Sequence, residues 1–500
     1  MANYRYFWDL QNSQAYTNHT VQQFDANSNT GGGDFRWVSV LDNTNIINIP
    51  GVRIKPTSNL KGYWERSIDG PWLVDWFGCN NSASQLILGA GGIGLTNQQI
   101  NDRFNCVTKD VNGNNATGSN TIVGSDTYDT AAMKVAFNLM ELGYTSSVQF
   151  LSKDYYISNT CNLPRNYYST ADRASNPFVL LGNGAQIRVH STKNTTAFTF
   201  WTRIINSQTD ADTQVTSRFV IDDFNFRGYI TGGLSVYQNA LKLSATTNSK
   251  LTNLSFSNLT TGLTCMYCVN AVISNLEYNQ VSNGLGLLTG LSSILGDTPW
   301  SGATFTNSQS KNCNVDNFKF FTSVLNVLSV RGIILEYAEN ANITNYTADI
   351  AVSSTSIGTA INVGYLKKFK ADTLSLNVGS TSGLSYAFGI VITNTGINNA
   401  HLQLNNIANL GPCILISYSA STTGLNNNIT VRNITEINAG SIFADTISDG
   451  RWLFENCRSV DPTDANRWFS GIAPTVGAWT ANGPAGSNVR LMEAYPFYVK

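Results

Sequence analysis

Leu251-Thr252-Asn253-Leu254-Ser255-Phe256 and Ala271-Val272-Ile273-Ser274-Asn275-Leu276 share one local pattern: a short alternating run in which Asn is followed directly by an apolar side chain. The same pair recurs as Asp223-Phe224, Asn317-Phe318, Asn345-Tyr346, Asn406-Ile407, Asn433-Ile434 and Asn456-Cys457, with Thr373-Leu374 standing in after Asp372. Counted between their first residues, successive pairs lie 30, 22, 42, 28, 28, 33, 27 and 23 positions apart. A period in this range marks repeat architecture, where each unit buries its inward side chains only by stacking on its neighbours. The 42-residue step contains Gly296-Asp297-Thr298-Pro299-Trp300 and reads as one coil carrying an insertion. Asn suits a corner because it tolerates left-handed geometry and bonds its own backbone, and it can stack on the Asn of the next coil. Gly262, Gly284 and Gly332 are expected to supply further bends.

Composition narrows the field. Charged residues make up 13% of the 500-residue chain, against roughly 25% in an ordinary globular protein. With 42% hydrophobic and 11% aromatic residues, the chain is too apolar to be disordered. Net charge is -1 and no basic stretch interleaves aromatics, which argues against nucleic-acid binding. Amides, hydroxyls and aromatic rings suit carbohydrate, since sugars offer hydroxyls to amides and C–H faces to rings; a solenoid needs the same residues for its own corners and stacks. Eight cysteines are spread through the chain. Cys265-Met266-Tyr267-Cys268 lacks a second pair or a nearby His, so no metal or other cofactor is expected. Cys313, Cys413 and Cys457 sit among apolar residues as small hydrophobes, implying synthesis in a reducing compartment. The opening Met-Ala-Asn-Tyr-Arg-Tyr-Phe-Trp has no signal-peptide core, and no run of ~18 apolar residues predicts membrane insertion.

Three regions are expected. Residues 1–125 are irregular and rich in aromatics and Gly, an attachment region. Residues 126–460 carry a helix and then the coils. Residues 461–500, with Trp468, Phe469, Trp479, Tyr495, Phe497 and Tyr498, form a cap or oligomerisation segment. The helix is predicted over 129–142, with Asp129 as N-cap, Gly143 just past its end, and an apolar stripe of Ala132, Val135, Ala136, Leu139 and Met140. It leads straight into strands at 147–151 and 155–157, as a plug on the open end of a solenoid would.

Three segments of the first region carry a resemblance: Gly31-Gly32-Gly33-Asp34-Phe35-Arg36-Trp37, Gly62-Tyr63-Trp64-Glu65-Arg66 and Val74-Asp75-Trp76-Phe77-Gly78-Cys79. With Asp126-Thr127-Tyr128-Asp129-Thr130-Ala131-Ala132, they resemble the leader of phage and prophage β-helical tailspike-like proteins. Cys79 stands where that pattern has Ala, and about 45 residues are inserted before Asp126. The resemblance implies a right-handed parallel β-helix of the pectate-lyase-like kind. It also implies a homotrimeric virion appendage made in the host cytoplasm, joined to other tail proteins through its N-terminal region and contacting a host surface glycan.

The fold hosts hydrolases, lyases and pure binders, so activity has to be read from sites. Glycan hydrolysis needs two carboxylates ~5–9.5 Å apart, a spacing that neighbouring coils ~4.8 Å apart can supply. Glu336, which ends Arg331-Gly332-Ile333-Ile334-Leu335-Glu336-Tyr337, is the candidate acid, with Asp316 or Asp349 as base. The plain alternative is a solvated strand-end carboxylate paired with Arg331. Trp300, Tyr337 and Arg331 are the candidate substrate contacts; Trp201, Tyr237, Tyr267 and Tyr278 are further rings able to stack on sugars. His19, His190 and His401 are isolated and read as structural. Three readings remain open: a tailspike or fibre that binds host polysaccharide, a glycan depolymerase on the same scaffold, and a purely structural virion protein.

Overall fold

The structure is a computed structural model. It describes residues 2–492 apart from 14–16, 27, 29, 43–45, 59, 81, 83–85, 87–94, 166–175, 190–194, 201–216, 229–237, 289–308, 326–328, 337, 353–356, 365–367, 381–386, 394–400, 410–413, 418–426, 437–449, 456–478, 481–482 and 485–487; past Val378 it describes mostly backbone. Asn456, Cys413, Cys457, His190, Trp201, Tyr237, Trp300, Tyr337 and the aromatics of 493–500 lie outside the described residues, as do Trp468 and Phe469. The chain divides into two compact units. One comprises Met1–Ile204, Thr216–Tyr229 and Gln238–Leu241, and the other Ile205–Val215, Ile230–Tyr237 and Lys242–Lys500.

In the first unit the leader is not irregular. Strands β1 (Ala2–Tyr6), β2 (His19–Gln23), β3 (Gly31–Ser39), β4 (Arg53–Ile54) and β5 (Gly62–Arg66) form a sheet of order β1-β2-β3-β5-β4. Its glycines hide the strand period because neighbours press on them: a β-carbon would strike Phe24 from Gly31, the Gln22 carbonyl from Gly32 and Trp37 from Gly62, and Arg66 ties the segments together. The buried guanidinium donates to the carbonyl oxygens of Gly51 (2.6 Å), Gly32 (2.8 Å) and Gly31 (2.7 Å). It also lies over the rings of Phe35 (4.7 Å) and Trp76 (4.8 Å). A β-carbon on Gly33 would collide with this guanidinium. Burial pushes the Arg66 pKa down to about 9 against the upward pull of Asp34, so it stays charged at neutral pH. The three leader segments are therefore one packed knot around a cation.

Short strand β6 (Trp72–Leu73) and helix α1 (Asn97–Arg103) follow, then α2 (Tyr128–Glu141). The N-cap of α2 is Thr127, whose hydroxyl accepts from the Thr130 N–H (3.1 Å), and not Asp129. Asp129 is buried and used across the fold: its carboxylate accepts from the backbone N–H groups of Asn80 (2.9 Å) and Tyr156 (2.9 Å). At the other end Gly143 adopts φ 84; its N–H bonds to Met140 O and that of Tyr144 to Leu139 O, the Schellman arrangement that Gly past a helix end favours. The apolar stripe is only part of the buried surface, since every residue of α2 except Asn138 is buried. Lys134 and Glu141 are accordingly paired, with Asp126 (2.8 Å) and Arg165 (2.6 Å).

Coils begin with β7 (Ser147–Gln149), β8 (Asp154–Ile157), β9 (Cys161–Asn162), β10 (Phe178–Val189), β11 (Thr195–Phe200) and β12 (Phe219–Arg227). All pairings are parallel: β10 stacks on β7 and β8, β11 on β9, and β12 on β10. On the outer side of β7 lies β6, also parallel. A two-residue leader strand together with α2 therefore covers the first coil, which shortens the exposed edge.

After β13 (Gln238–Thr247), the second unit holds β14 (Lys250–Val269), β15 (Val272–Leu288), β16 (Asn314–Leu325), β17 (Ser329–Glu336), β18 (Ala341–Val352), β19 (Ile357–Gly364), β20 (Lys368–Ser380), β21 (Ala387–Thr393), β22 (His401–Asn409), β23 (Ile414–Ser417), β24 (Asn427–Glu436) and β25 (Gly450–Glu455). From β15 to β24 each strand pairs in parallel with the strand two further on, the connectivity of a parallel β-helix. Register follows the repeat: Leu254, Leu276, Phe318, Tyr346, Leu374, Ile407 and Ile434 stand in one row. Between Leu276 and Phe318 the 42-residue step keeps this row intact. Beyond a two-strand ribbon, β26 (Trp479–Thr480) with β27 (Gly483–Pro484), strand β28 (Asn488–Met492) stacks parallel on β25. Parallel stacking thus continues past residue 461, inside the segment expected to differ.

Asn253, Asn275, Asn317, Asn345, Thr373 and Asn433 all take positive φ, between 52 and 59. A left-handed corner costs other L-residues roughly 1–2 kcal/mol. The side-chain amides also bond from coil to coil: Asn275 Nδ2 donates to Asn253 Oδ1 (2.9 Å) and Asn317 Nδ2 to Asn275 Oδ1 (2.9 Å). Inside this corner, rings of Phe256, Tyr278 and Phe318 stack at 4.5 and 4.8 Å, with Tyr346 edge-on to Phe318 at 4.8 Å. Opposite the rings lie Gly262, Gly284, Gly332 and Ala360. The three glycines are not bends; none of them has positive φ, and a β-carbon would strike Tyr278 from Gly262, the Gly332 carbonyl from Gly284, and the Tyr346 hydroxyl from Gly332. Large rings on one wall demand bare backbone on the other.

Replacing Asn275 by Ala removes both the amide bonds and the tolerance of left-handed backbone. The expected loss is about 2 kcal/mol; Asn275→Gly, which keeps the geometry, should lose about 1 kcal/mol. Chemical unfolding of both variants checks the order. Gly332→Ala should lower the unfolding midpoint further than Asn275→Gly, because overpacking a filled core costs about 1–3 kcal/mol.

Candidate functional site

Each coil of the second unit has three strand runs. The upstream run precedes the ladder residue (250–252, 272–274, 314–316, 342–344). A downstream run follows it (254–257, 276–279, 318–321, 346–349). The third run (259–266, 281–288, 329–336) returns across the core. On the downstream run burial alternates, as in Leu276 buried, Glu277 exposed, Tyr278 buried, Asn279 exposed. By contrast, residues 259–266 are buried without alternation, and in 329–336 only Ser329, Arg331 and Glu336 are partly exposed, so this run is largely covered. Open surface therefore belongs to the upstream and downstream runs.

This surface is built from registered rows. One upstream row reads Ser274, Asp316, Thr344, Asp372, and its neighbour Val272, Asn314, Asn342, Lys370. Downstream rows read Glu277, Lys319, Thr347, Ser375 and Asn279, Phe321, Asp349, Asn377. Several members bond to the next coil. Asn342 Nδ2 donates to Asn314 Oδ1 (2.8 Å), and Asn377 Nδ2 to Asp349 Oδ1 (2.8 Å). Asp316 Oδ1 accepts from Thr344 Oγ1 (2.6 Å) and Asn345 Nδ2 (2.8 Å). Such bonds fix the side chains in a lattice, leaving their outer donors and acceptors oriented.

The sequence candidates fall on different parts of this frame. Asp316 is exposed on an upstream run; bonds from Thr344 and then Asn345 hold its carboxyl below the usual carboxylate range. Asp349 is exposed on a downstream run, facing Phe321 and Asn377 in register. From Thr344, the register partner of Asp316, it is five positions further, a contour of roughly 16 Å, with the Asn345 corner between. Glu336 ends the covered third run, half-buried and paired in register with Gly364. Arg331 is half-buried on the same strand; burial lowers its pKa while Glu336 pulls it upward. The register therefore groups Arg331 with Glu336, and sets Asp316 and Asp349 apart from them and from each other. Trp300 and Tyr337 lie outside the described residues. Tyr278 is fully buried in the ring stack, not available to a sugar.

A second amide ladder escaped the sequence reading. Asn270 Nδ2 bonds to Asn248 Oδ1 (3.1 Å), Asn312 to Asn270 (3.0 Å) and Asn340 to Asn312 (2.8 Å). These residues also have positive φ. Each lies five positions before a first-ladder Asn, so the signal was present as a paired Asn spacing. Among the described residues no group of three His, Cys, Asp or Glu is arranged to hold a metal ion. The six described cysteines are free thiols; Cys106 is partly exposed and the others are buried.

No protein-family model and no curated protein matches the chain. Among solved structures it is similar to the enzymatically active domain of tailspike protein 2 of bacteriophage CBA120, at 12% identity and a TM-score of 0.44 over 98% of this chain. It spans 61% of that protein's chain. It is also similar to the tailspike protein of Acinetobacter baumannii phage AM24 (12% identity, TM-score 0.45, 94% of this chain and 67% of that chain). A third is a tailspike protein from Acinetobacter baumannii bacteriophage Fri1, a capsular polysaccharide depolymerase (11%, TM-score 0.44, 92% and 71%).

Asp316 has a folded pKa below its unfolded value, so the stabilisation it contributes is present above the unfolded pKa and is lost as pH falls through the folded one. Carboxyl NMR titration should place Asp316 below an ordinary exposed Asp. In Thr344→Val and Asn345→Ala the value should rise; an unchanged value would show that these bonds do not hold the charge.

Proposed function

We propose that this chain is part of a virion tail appendage and binds a host-surface polysaccharide on the open face of its coils. The observation that carries the reading is the registered lattice of amides, hydroxyls and charges of both signs on the upstream and downstream runs. Its rows repeat every ~4.8 Å and are held by coil-to-coil bonds before any ligand arrives, which lowers the ordering cost of binding. The leader segments Gly31–Trp37, Gly62–Arg66 and Val74–Cys79, by their resemblance to tailspike-like proteins, support the virion setting. Joining to other tail proteins through residues 1–125, a homotrimeric state and synthesis in the host cytoplasm belong to the same proposal.

Binding is favoured over cleavage. Asp316 is held ionised by the bonds to its Oδ1, so it is a weak base and no proton donor. Glu336 lies at the end of a covered run. Arg331, Trp300 and Tyr337 remain proposed glycan contacts, and Glu336 with Asp316 or Asp349 is the set on which a depolymerase activity would have to rest.

Purified protein incubated with candidate host polysaccharides decides between these readings. The expected outcome is retention on the polysaccharide, with its chain length unchanged by size exclusion and retention weakened severalfold in an Asn279→Ala, Asn377→Ala double variant. Shortened chains that disappear with Glu336→Gln would replace binding by cleavage. Absence of retention on every host glycan would leave the purely structural reading.

A further inference from the structure

A second surface lies in the first unit, on β8, β10 and β12. Outward positions there form two registered rows: Asp154, Gln186, Asn225 and Tyr156, Arg188, Arg227. Arg188 and Arg227 are direct register partners on adjacent parallel strands, so two guanidinium groups leave the same face from backbones ~4.8 Å apart. Like charges placed opposite one another oppose the pairing of their strands. Only one carboxylate stands in the two rows. Asp154 pairs with Arg188 at 2.8 Å, both side chains remaining 34% exposed. Arg227 is exposed and has no carboxylate or hydrogen-bond partner among the described residues. Arg188 Nε is buried and donates to nothing. Beneath Arg188 lies the Tyr156 ring, 5.7 Å from the guanidinium carbon; Gln186 Oε1 accepts from Arg188 Nη2 (3.3 Å) and Asn225 Nδ2 donates to Gly184 O (3.1 Å).

We infer that the Arg188–Arg227 pair is a subsite for the carboxylate of an acidic sugar unit, with Tyr156 beside the ring that carries it. Paired guanidinium groups match a carboxylate's two oxygens; an aromatic face beside them suits the C–H face of a pyranose. The sugar part rests on the polysaccharide-binding reading above, whereas the anion part rests on the register alone.

The test is binding of trigalacturonate, its neutral methyl ester and inorganic sulfate at matched ionic strength, by calorimetry on the full chain. Trigalacturonate is expected to bind at least roughly tenfold more tightly than the ester and to lose roughly tenfold in Arg227→Gln, the scale of one charge-assisted hydrogen bond. Asp154→Asn, which frees Arg188, should tighten it, so the two variants move affinity in opposite directions. Tyr156→Leu should weaken trigalacturonate and leave sulfate unchanged. Equal affinity for acid and ester, or wild-type affinity in Arg227→Gln, overturns the subsite. Trigalacturonate unaffected by Tyr156→Leu overturns the sugar assignment and leaves an anion site. Host polysaccharide that stays bound through all three variants overturns this subsite alone and leaves the glycan-binding reading standing.

Discussion

Coil-to-coil registry rests on a left-handed corner that must be made again at each turn of the second unit. Asn253, Asn275, Asn317 and Asn345 make it because their short amides tolerate positive φ. Three of them also bond one to the next. With the corner fixed, the following residue always points inward, which puts Leu254, Leu276, Phe318 and Tyr346 in one row. The rings beyond them then reach across the core, and the far wall must be glycine or alanine. Amide corner, ring stack and bare wall are one constraint seen at three depths. At the Asn345 turn the amide leaves its ladder and bonds to Asp316, so the same corner chemistry also positions a surface carboxylate.

In the first unit the few charged side chains of the leader and helix do structural work. Arg66 gathers three glycine carbonyls, and Asp129 bridges leader and coil. Asp75 accepts the Tyr155 hydroxyl (2.5 Å) and pairs with Lys153. Burial, then the fields of Cys79 and Asp75 and the bond to Asp75, raise the Tyr155 pKa, so that hydroxyl remains a donor. Buried charges of this kind persist only when paired and hydrogen-bonded. Cys79 sits in the same packed region, its thiol pushed well up by burial and then by Asp75 and Asp129. It is a filler of space, not a reactive group.

Function separates by surface. The third run is largely buried, with Ser329, Arg331 and Glu336 partly exposed, whereas the upstream and downstream runs present an ordered lattice. Charge on that lattice is mixed in sign: Glu277, Asp316, Asp349 and Asp372 stand among Lys319 and Lys370. On the first unit two like charges, Arg188 and Arg227, stand in register with one carboxylate, Asp154, beside them.

The repeat, its corners and its pairing class were legible in the sequence, because a left-handed corner admits few residue types and a parallel stack repeats them at the coil period. Helix α2 was legible within one residue, its end marked by Gly143. The leader sheet was not, since its glycines answer to partners elsewhere in the leader: Gly31 to Phe24, Gly32 to the Gln22 carbonyl, Gly33 to Arg66 and Gly62 to Trp37. Nor were the roles of Gly262, Gly284 and Gly332, whose small size is set by rings from another run. The site was least legible. Residue type and strand-end position singled out Asp316, Glu336 and Asp349, but which face a carboxylate shares with another depends on where each corner turns the chain. The amino-acid order by itself determined that this chain stacks; tertiary structure alone decided which outward residues meet, because neighbours on such a surface come from different coils, 22 to 42 positions apart.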